Sequence, residues 1–285
     1  MSRTSKRRDA IVGLAALMLG AGAAQAATLE ITITNNQEEG GVFLTPLYLG
    51  FHDGSFDTFD AGTVASRGLE QLAEDGVFGP GTDQETIAGE RLAVAPTSQG
   101  CAITGPDGFG SVMPQPPLID TGETASIIVD VDTDNRFLQY LSMILPSNDN
   151  FIGNDDALEI FDSMGNFLGD QVIEITQANV WDAGTEVNNG LGLPFGAAAN
   201  TKPAAVPNQE EGGLISLAGD LSFLENFQFT NGAGFLVDNI GDSIATITIR
   251  EVGVSPVPLT AGAPLILSAL GLFGLLRMRN HKAVA

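Results

Sequence analysis

Basic residues, cysteine and histidine are scarce in this sequence, and each scarcity excludes something. Its 285 residues hold 12 Lys and Arg against 35 Asp and Glu, with one cysteine and two histidines. A single cysteine, Cys101, rules out an internal disulfide, so the fold must rest on packing and on metal if one is bound. Cys101 itself reads as a small, half-buried hydrophobe. His281 lies in the basic C-terminal end, which leaves His52 alone. No Ser-His-Asp, Cys-His or multi-histidine metal site can be assembled around one usable histidine, so His52 reads as structural.

The basic residues are also unevenly placed. Arg3, Lys6, Arg7 and Arg8 open the chain and Arg277, Arg279 and Lys282 close it. Between residues 27 and 255 only Arg67, Arg91, Arg136, Lys202 and Arg250 face 34 acidic residues, a balance of about −29. A charge of that size and sign excludes nucleic acid and anionic lipid as partners of this span and favours divalent cations or a saline medium.

The ends themselves read as export signals. Four basic residues, an apolar run from Ile11 to Ala23 and the small-residue site Ala24-Gln25-Ala26 form the three-part layout of a secretory signal peptide, residues 1–26. At the other end, residues 259–276 are 18 uncharged, largely apolar residues, long enough for a membrane helix, and the basic cluster behind them predicts a cytoplasmic end. The expected division is a signal peptide at 1–26, one domain at 27–255, and a tail at 256–285 that inserts in the inner membrane.

Within the domain, alternation of apolar and polar residues predicts strands at Leu29 to Thr34, 126–132, 141–145, 157–161, 171–176 and 243–252. Helical spacing appears at 65–76, where Gly76 supplies a stop, and at 84–95. Many short strands with polar loops and one or two short helices argue for an all-β, antiparallel sandwich. The Gly-, Ala-, Pro- and Asn-rich stretch from Gly190 to Gly213 reads as a surface loop, and DVDTDN at 130–135 as a strand-to-strand turn, since it lacks the glycine and glutamate of a calcium-binding helix-loop-helix.

Three acidic stretches stand out: PSND at 146–149, NDD at 154–156 and WDAGTE at 181–186. Asp182 and Glu186 flank Ala-Gly-Thr, a spacing that on a tight loop turns both carboxylates toward one point. Calcium takes six to eight oxygens from such irregular loops. Carboxylate pairs also serve glycoside hydrolysis, and a solvated acidic loop is the simplest alternative. Trp181, a lone aromatic beside the loop, reads as core.

Three blocks resemble the spondin N-terminal domain. LTPLYLGFHDGSFDTFDAGTVASRGLEQLAEDG at 44–76 is similar to the family's opening, LSMILPSNDNFIGNDDALEIF at 141–161 to its "S-x-(I/L)-P-S-x-D-x-F-x-G" segment, and VWDAGTEVNNG at 180–190 to its "DAGT-(D/E)" loop. The resemblance implies a β-sandwich of the spondin type that binds Ca2+, with Asp149, Asp182 and Glu186 as the metal ligands. Asn148 and Asn150 stand where animal members often carry Pro and Trp, and Glu186 stands where they carry Asp. The tail, VPLTAGAP and its apolar helix, is similar to the VPLPA type of bacterial sorting signal read by a membrane-embedded exosortase, with Thr260 in place of a proline. The expected function is a non-enzymatic, exported calcium-binding module for adhesion or association with extracellular matrix or polysaccharide. The alternatives are a structural surface-layer or biofilm component and a carboxylate-dependent glycoside hydrolase.

Overall fold

The computed structural model describes residues 26–79, 85–107, 116–188, 209–225, 227–228 and 236–253. The expected signal peptide through residue 25, the expected membrane helix and sorting signal, and most of the 190–213 stretch lie outside the described residues. In chain order the first half runs β1 (Ala26–Asn35), β2 (Phe43–Leu44), β3 (Leu47–His52), α1 (Arg67–Asp75), α2 (Ile87–Val94), β4 (Gln99–Ile103), β5 (Thr124–Asp132) and β6 (Phe137–Leu145). The second half adds β7 (Asn150–Gly153), β8 (Leu158–Glu159), β9 (Gln171–Thr176), β10 (Val180–Asp182), β11 (Ser216–Leu217), β12 (Phe227–Gln228), β13 (Leu236–Val237) and β14 (Ser243–Glu251).

Where one face of a strand meets water, the alternation is visible and the element matches its expectation. β1 points Leu29, Ile31 and Ile33 inward and Thr28, Glu30, Thr32 and Thr34 outward. It pairs antiparallel with β5 on one side and β14 on the other, and β9 completes a four-stranded sheet in the order β5-β1-β14-β9. The larger antiparallel sheet runs β11-β10-β7-β6-β3-β4, with β2 and β8 also paired to β6. One apolar core joins the two sheets, with Ile31, Ile33, Ile247 and Ile249 from the first and Leu47, Leu49, Phe51, Leu138 and Ile152 from the second. This is the expected antiparallel sandwich.

The larger sheet is buried on its other face as well. Leu69, Leu72 and Ala73 of α1 and Ile87 and Ala88 of α2 pack with Tyr48, Leu141 and Phe151 of the sheet in a second core. Strands covered on both faces lose the two-residue alternation, so every residue of β3 and all but the first of β6 are buried or nearly so. The stretch at 157–161, expected as one strand, forms a strand only over Leu158–Glu159, with a separate bridge from Phe161 to Phe167.

Local chemistry fixes the helices where the spacing predicts them. Ser66 caps α1 by accepting from Leu69 N, and Gly76 ends it in the left-handed region at φ 67°. Glu90 of α2 reaches back over α1, its Oε1 accepting from Gly68 N at 2.8 Å and its Oε2 from Ser66 Oγ at 2.7 Å. Cys101 is half-buried, and burial pushes its thiol up to about 11, as a packing residue requires. His52 is buried, with its ring stacked on Phe137 and Nδ1 accepting from Gly54 N. Burial lowers its pKa and keeps it neutral, in agreement with a structural role.

Because Glu90 satisfies a buried helix-terminal N–H, Glu90→Ala should lower stability by about 1–3 kcal/mol in urea unfolding while Glu90→Gln retains most of it. Equal losses in the two variants would show that the helix-capping contact carries no weight.

Candidate metal centre

The site forms where the C-terminal end of β6 turns into β7. Leu145-Pro146 is a cis peptide. Ser147 Oγ braces the turn by donating to Ile144 O and accepting from Asn150 N at 3.1 Å. The turn places Asp149 against the loop that follows β10, where Ala183 N donates to Asp149 O at 3.2 Å. β7 and β10 pair antiparallel with Asn150 opposite Asp182, so the two blocks that carry the acidic residues meet in space.

Asp149 exposes 0% of its surface, and its two oxygens are treated very differently. Oδ2 accepts from Glu186 N at 2.9 Å, Thr185 N at 3.0 Å and Thr185 Oγ1 at 3.3 Å. Oδ1 is buried and receives no donor. Asp182 Oδ1 accepts from Gly184 N at 2.7 Å and Oδ2 from Asn188 Nδ2 at 2.5 Å. Gly184 adopts φ 68° to make this turn, and a Cβ there would meet the backbone of Leu214 at 2.9 Å.

The Asp149 and Asp182 carboxyls are within hydrogen-bonding reach of each other. Burial first and the Asp182 charge second push the Asp149 carboxyl up to about 8, against the pull of the Glu186 and Thr185 N–H groups. Burial raises Asp182 as well. A buried carboxyl beside a half-buried one requires something positive between them, either a proton or a cation.

Of the three residues that the sequence nominated, the structure brings Asp149 and Asp182 side by side. Glu186 is buried next to them and is joined to Asp149 through its main-chain N–H. Among the described residues no three His, Cys, Asp or Glu side chains converge closely enough to hold a metal. The NDD stretch serves elsewhere: Asn154 bonds the backbone of Tyr140 and Leu138, and Asp155 Oδ1 accepts from Ala61 N at 2.9 Å. The 130–135 stretch holds the last three residues of β5 and the turn that leads toward β6, in line with the strand-to-strand reading. Trp181 is core, donating Nε1 to Gly153 O at 3.0 Å with its ring edge-on to Phe59.

Part of the expected surface loop belongs to the site. Val187 N donates to Gln209 O at 2.8 Å, Glu211 N to Thr185 O at 2.9 Å and Gly213 N to Gly184 O at 2.7 Å, so residues 209–213 lie along the acidic loop. Burial and the charge of Asp182 both raise the pKa of Glu211, which places a further carboxylate in the field of the pair. No local spacing announces Glu211, because its partner loop is remote in sequence and the glycines around it read as a turn.

The donor chemistry fits calcium better than a softer metal. Asp149, Asp182 and the side chains of Asn148, Asn150 and Asn188 offer carboxylate and unpaired amide oxygens, and among the described residues no imidazole or thiolate joins them in a metal-binding cluster.

In metal-free buffer the folded protein binds the Asp149 proton more tightly than the unfolded chain does. Its stability should therefore fall as pH rises from the ordinary 3.8 toward about 8. Thermal midpoints in chelator should decline across that window, and the decline should be smaller in Asp149→Asn, where Asp182 alone of the pair is left to titrate; a flat profile in the unmodified protein is the contrary result.

No curated protein matches the chain. A family model, Spondin_N, matches residues 44–204, more than half of the 285. The match takes in the turn with Asp149, the loop with Asp182 and Glu186, and both helices that cover the larger sheet. This chain therefore belongs to the Spondin_N family.

Proposed function

We propose that this protein is an exported, non-enzymatic spondin-type module whose loops are ordered by a calcium ion at Asp149 and Asp182, with Glu186 adjoining, and which associates with extracellular matrix or polysaccharide. The observation that carries this reading is the Asp149 carboxyl, fully buried, anchored through one oxygen and left without a donor at the other beside a second carboxyl. Calcium would be held by carboxylate oxygens here and would supply the positive charge that such a pair needs. In that role it ties the β6–β7 turn to the loop after β10.

The geometry weighs against the hydrolase alternative. Glycosidase carboxyls stand roughly 5–9.5 Å apart around the scissile bond, whereas these are within hydrogen-bonding reach of each other. Asp149 also has no exposed surface with which to touch a substrate. A structural surface-layer role remains the second reading, and self-association on adding calcium is the behaviour that would favour it over ligand binding.

Calorimetric titration of calcium into the full chain in mild detergent should show a saturable site. The thermal midpoint should rise with calcium, by the equivalent of about 2.7 kcal/mol at a hundred times the dissociation constant. Both effects should vanish in Asp182→Ala. Absence of binding at millimolar calcium in the unmodified protein would sink the calcium reading and leave a purely structural module.

The tail beyond residue 255 we assign to membrane insertion and recognition by an exosortase-like enzyme, on the strength of its apolar run and basic end. Among the described residues no helix is long and apolar enough to cross a membrane, and 259–276 lies outside them. Intact mass of the cell-associated protein should show loss of residues 1–26 and a C-terminal cut close to Val257. A mature protein that retains Lys282 would show that the tail stays as an anchor.

A further inference from the structure

Beside the two acids, the site buries side-chain polar atoms that have no hydrogen-bond partner. Asn150 is fully buried, and neither its Oδ1 nor its Nδ2 forms a hydrogen bond. It is the antiparallel partner of Asp182, so the two side chains leave the sheet on the same face as direct neighbours. Asn148, on the other side of Asp149, donates Nδ2 to Val187 O at 3.1 Å and is left with a buried, unpaired Oδ1. Asn188 gives Nδ2 to Asp182 Oδ2 and likewise keeps an unpaired Oδ1.

Buried amides left dry are unfavourable, and folded proteins retain them where something else satisfies them. Here the orphan oxygens flank a carboxyl whose own Oδ1 is also an orphan. Hard divalent cations draw ligands from side-chain amide carbonyls as readily as they draw them from carboxylates. Among the described residues the acidic side chains alone do not make a three-ligand cluster, so a cation seated at this pair needs neutral oxygens.

We infer that Asn150 Oδ1, with Asn148 Oδ1 beside it, is a neutral ligand of a divalent cation held by Asp149 and Asp182, and that side-chain amides complete this site. The inference rests on the cation-binding reading proposed above. It goes beyond that reading because both asparagines stand where the resemblance supplies no ligand. Asn188 is a positioning residue, since its amide N–H group holds Asp182 in place.

The test compares Asn150→Leu and Asn150→Asp with the unmodified full chain in mild detergent, by calcium titration and by thermal unfolding with chelator or calcium. Asn150→Leu should keep or raise the metal-free midpoint, because an unpaired buried amide gives way to an apolar group of similar volume. It should bind calcium about tenfold or more weakly, the range that loss of one supporting group at a metal commonly brings. Asn150→Asp should do the reverse, with a lower metal-free midpoint from one more buried carboxylate and calcium affinity at least as high as in the unmodified protein. If both variants bind calcium like the unmodified protein, the amide is merely hydrated and the inference is overturned. A loss of metal-free stability in Asn150→Leu with unchanged affinity overturns it as well and assigns Asn150 a packing role. When the unmodified protein binds and Asp182→Ala does not, these two results overturn this inference alone; an unmodified protein that takes up no calcium overturns it together with the reading beneath it. Should Asn150→Leu fail to fold, Asn148→Ala and Asn150→Asp carry the same comparison.

Discussion

One oxygen of the Asp149 carboxylate collects the backbone N–H groups of Thr185 and Glu186, and the arrangement of this end of the sandwich follows from that contact. It binds the β6–β7 turn to the loop after β10, and that loop in turn receives residues 209–213 along its edge. Three segments far apart in sequence are thus fixed relative to one another by a single buried side chain. A carboxylate is suited to this because each of its oxygens accepts more than one hydrogen bond. Concentrating the donors on one oxygen leaves the other with unmet demand in a place that water does not reach.

The demand is local, but the means of creating it is the whole fold. Burial on both faces of the larger sheet carries Asp149 out of solvent, and the pairing of β7 with β10 brings Asp182 to it. Neither acid is perturbed by its sequence neighbours alone. α1 and α2 cover the opposite face of these two strands, on which Phe151 and Ala183 lie immediately after the site residues in each block.

Legibility in the sequence followed exposure. β1, β5, β9 and β14 have one wet face, so alternation marked them to within three residues, and helical spacing with the Gly76 stop marked α1. β3 was missed and β6 was read only over its apolar second half, because strands covered on both sides show no period. β4, β7 and β10 were too short for periodicity to register. Asp149, Asp182 and Glu186 came from the resemblance, with composition giving only a weak hint. Glu211 and Asn150 were invisible because what singles them out is a charge across space in one case and a missing hydrogen-bond partner in the other. Neither property belongs to a sequence window. The 190–213 stretch was read by composition as surface, and its last residues bond to the site loop through backbone groups, to which composition is blind.

The pairing of the first strand with the last has a geometric consequence. Leu29 faces Glu251 across the β1–β14 pair, and Ala26 faces Asp132, so both chain ends leave the domain at the pole where β5 turns into β6. Asn35, at the far end of β1, donates to Val42 O, and Phe43 pairs with Leu145 beside the turn that carries Asp149. The carboxyl pair therefore occupies the opposite pole, about 30 Å away along the nine residues of β6. A chain tethered by its C-terminal end would carry this pole outermost. Any tension between tether and pole would then run along β14 and β6, loading their hydrogen-bond ladders in shear, the direction in which the rungs must break together.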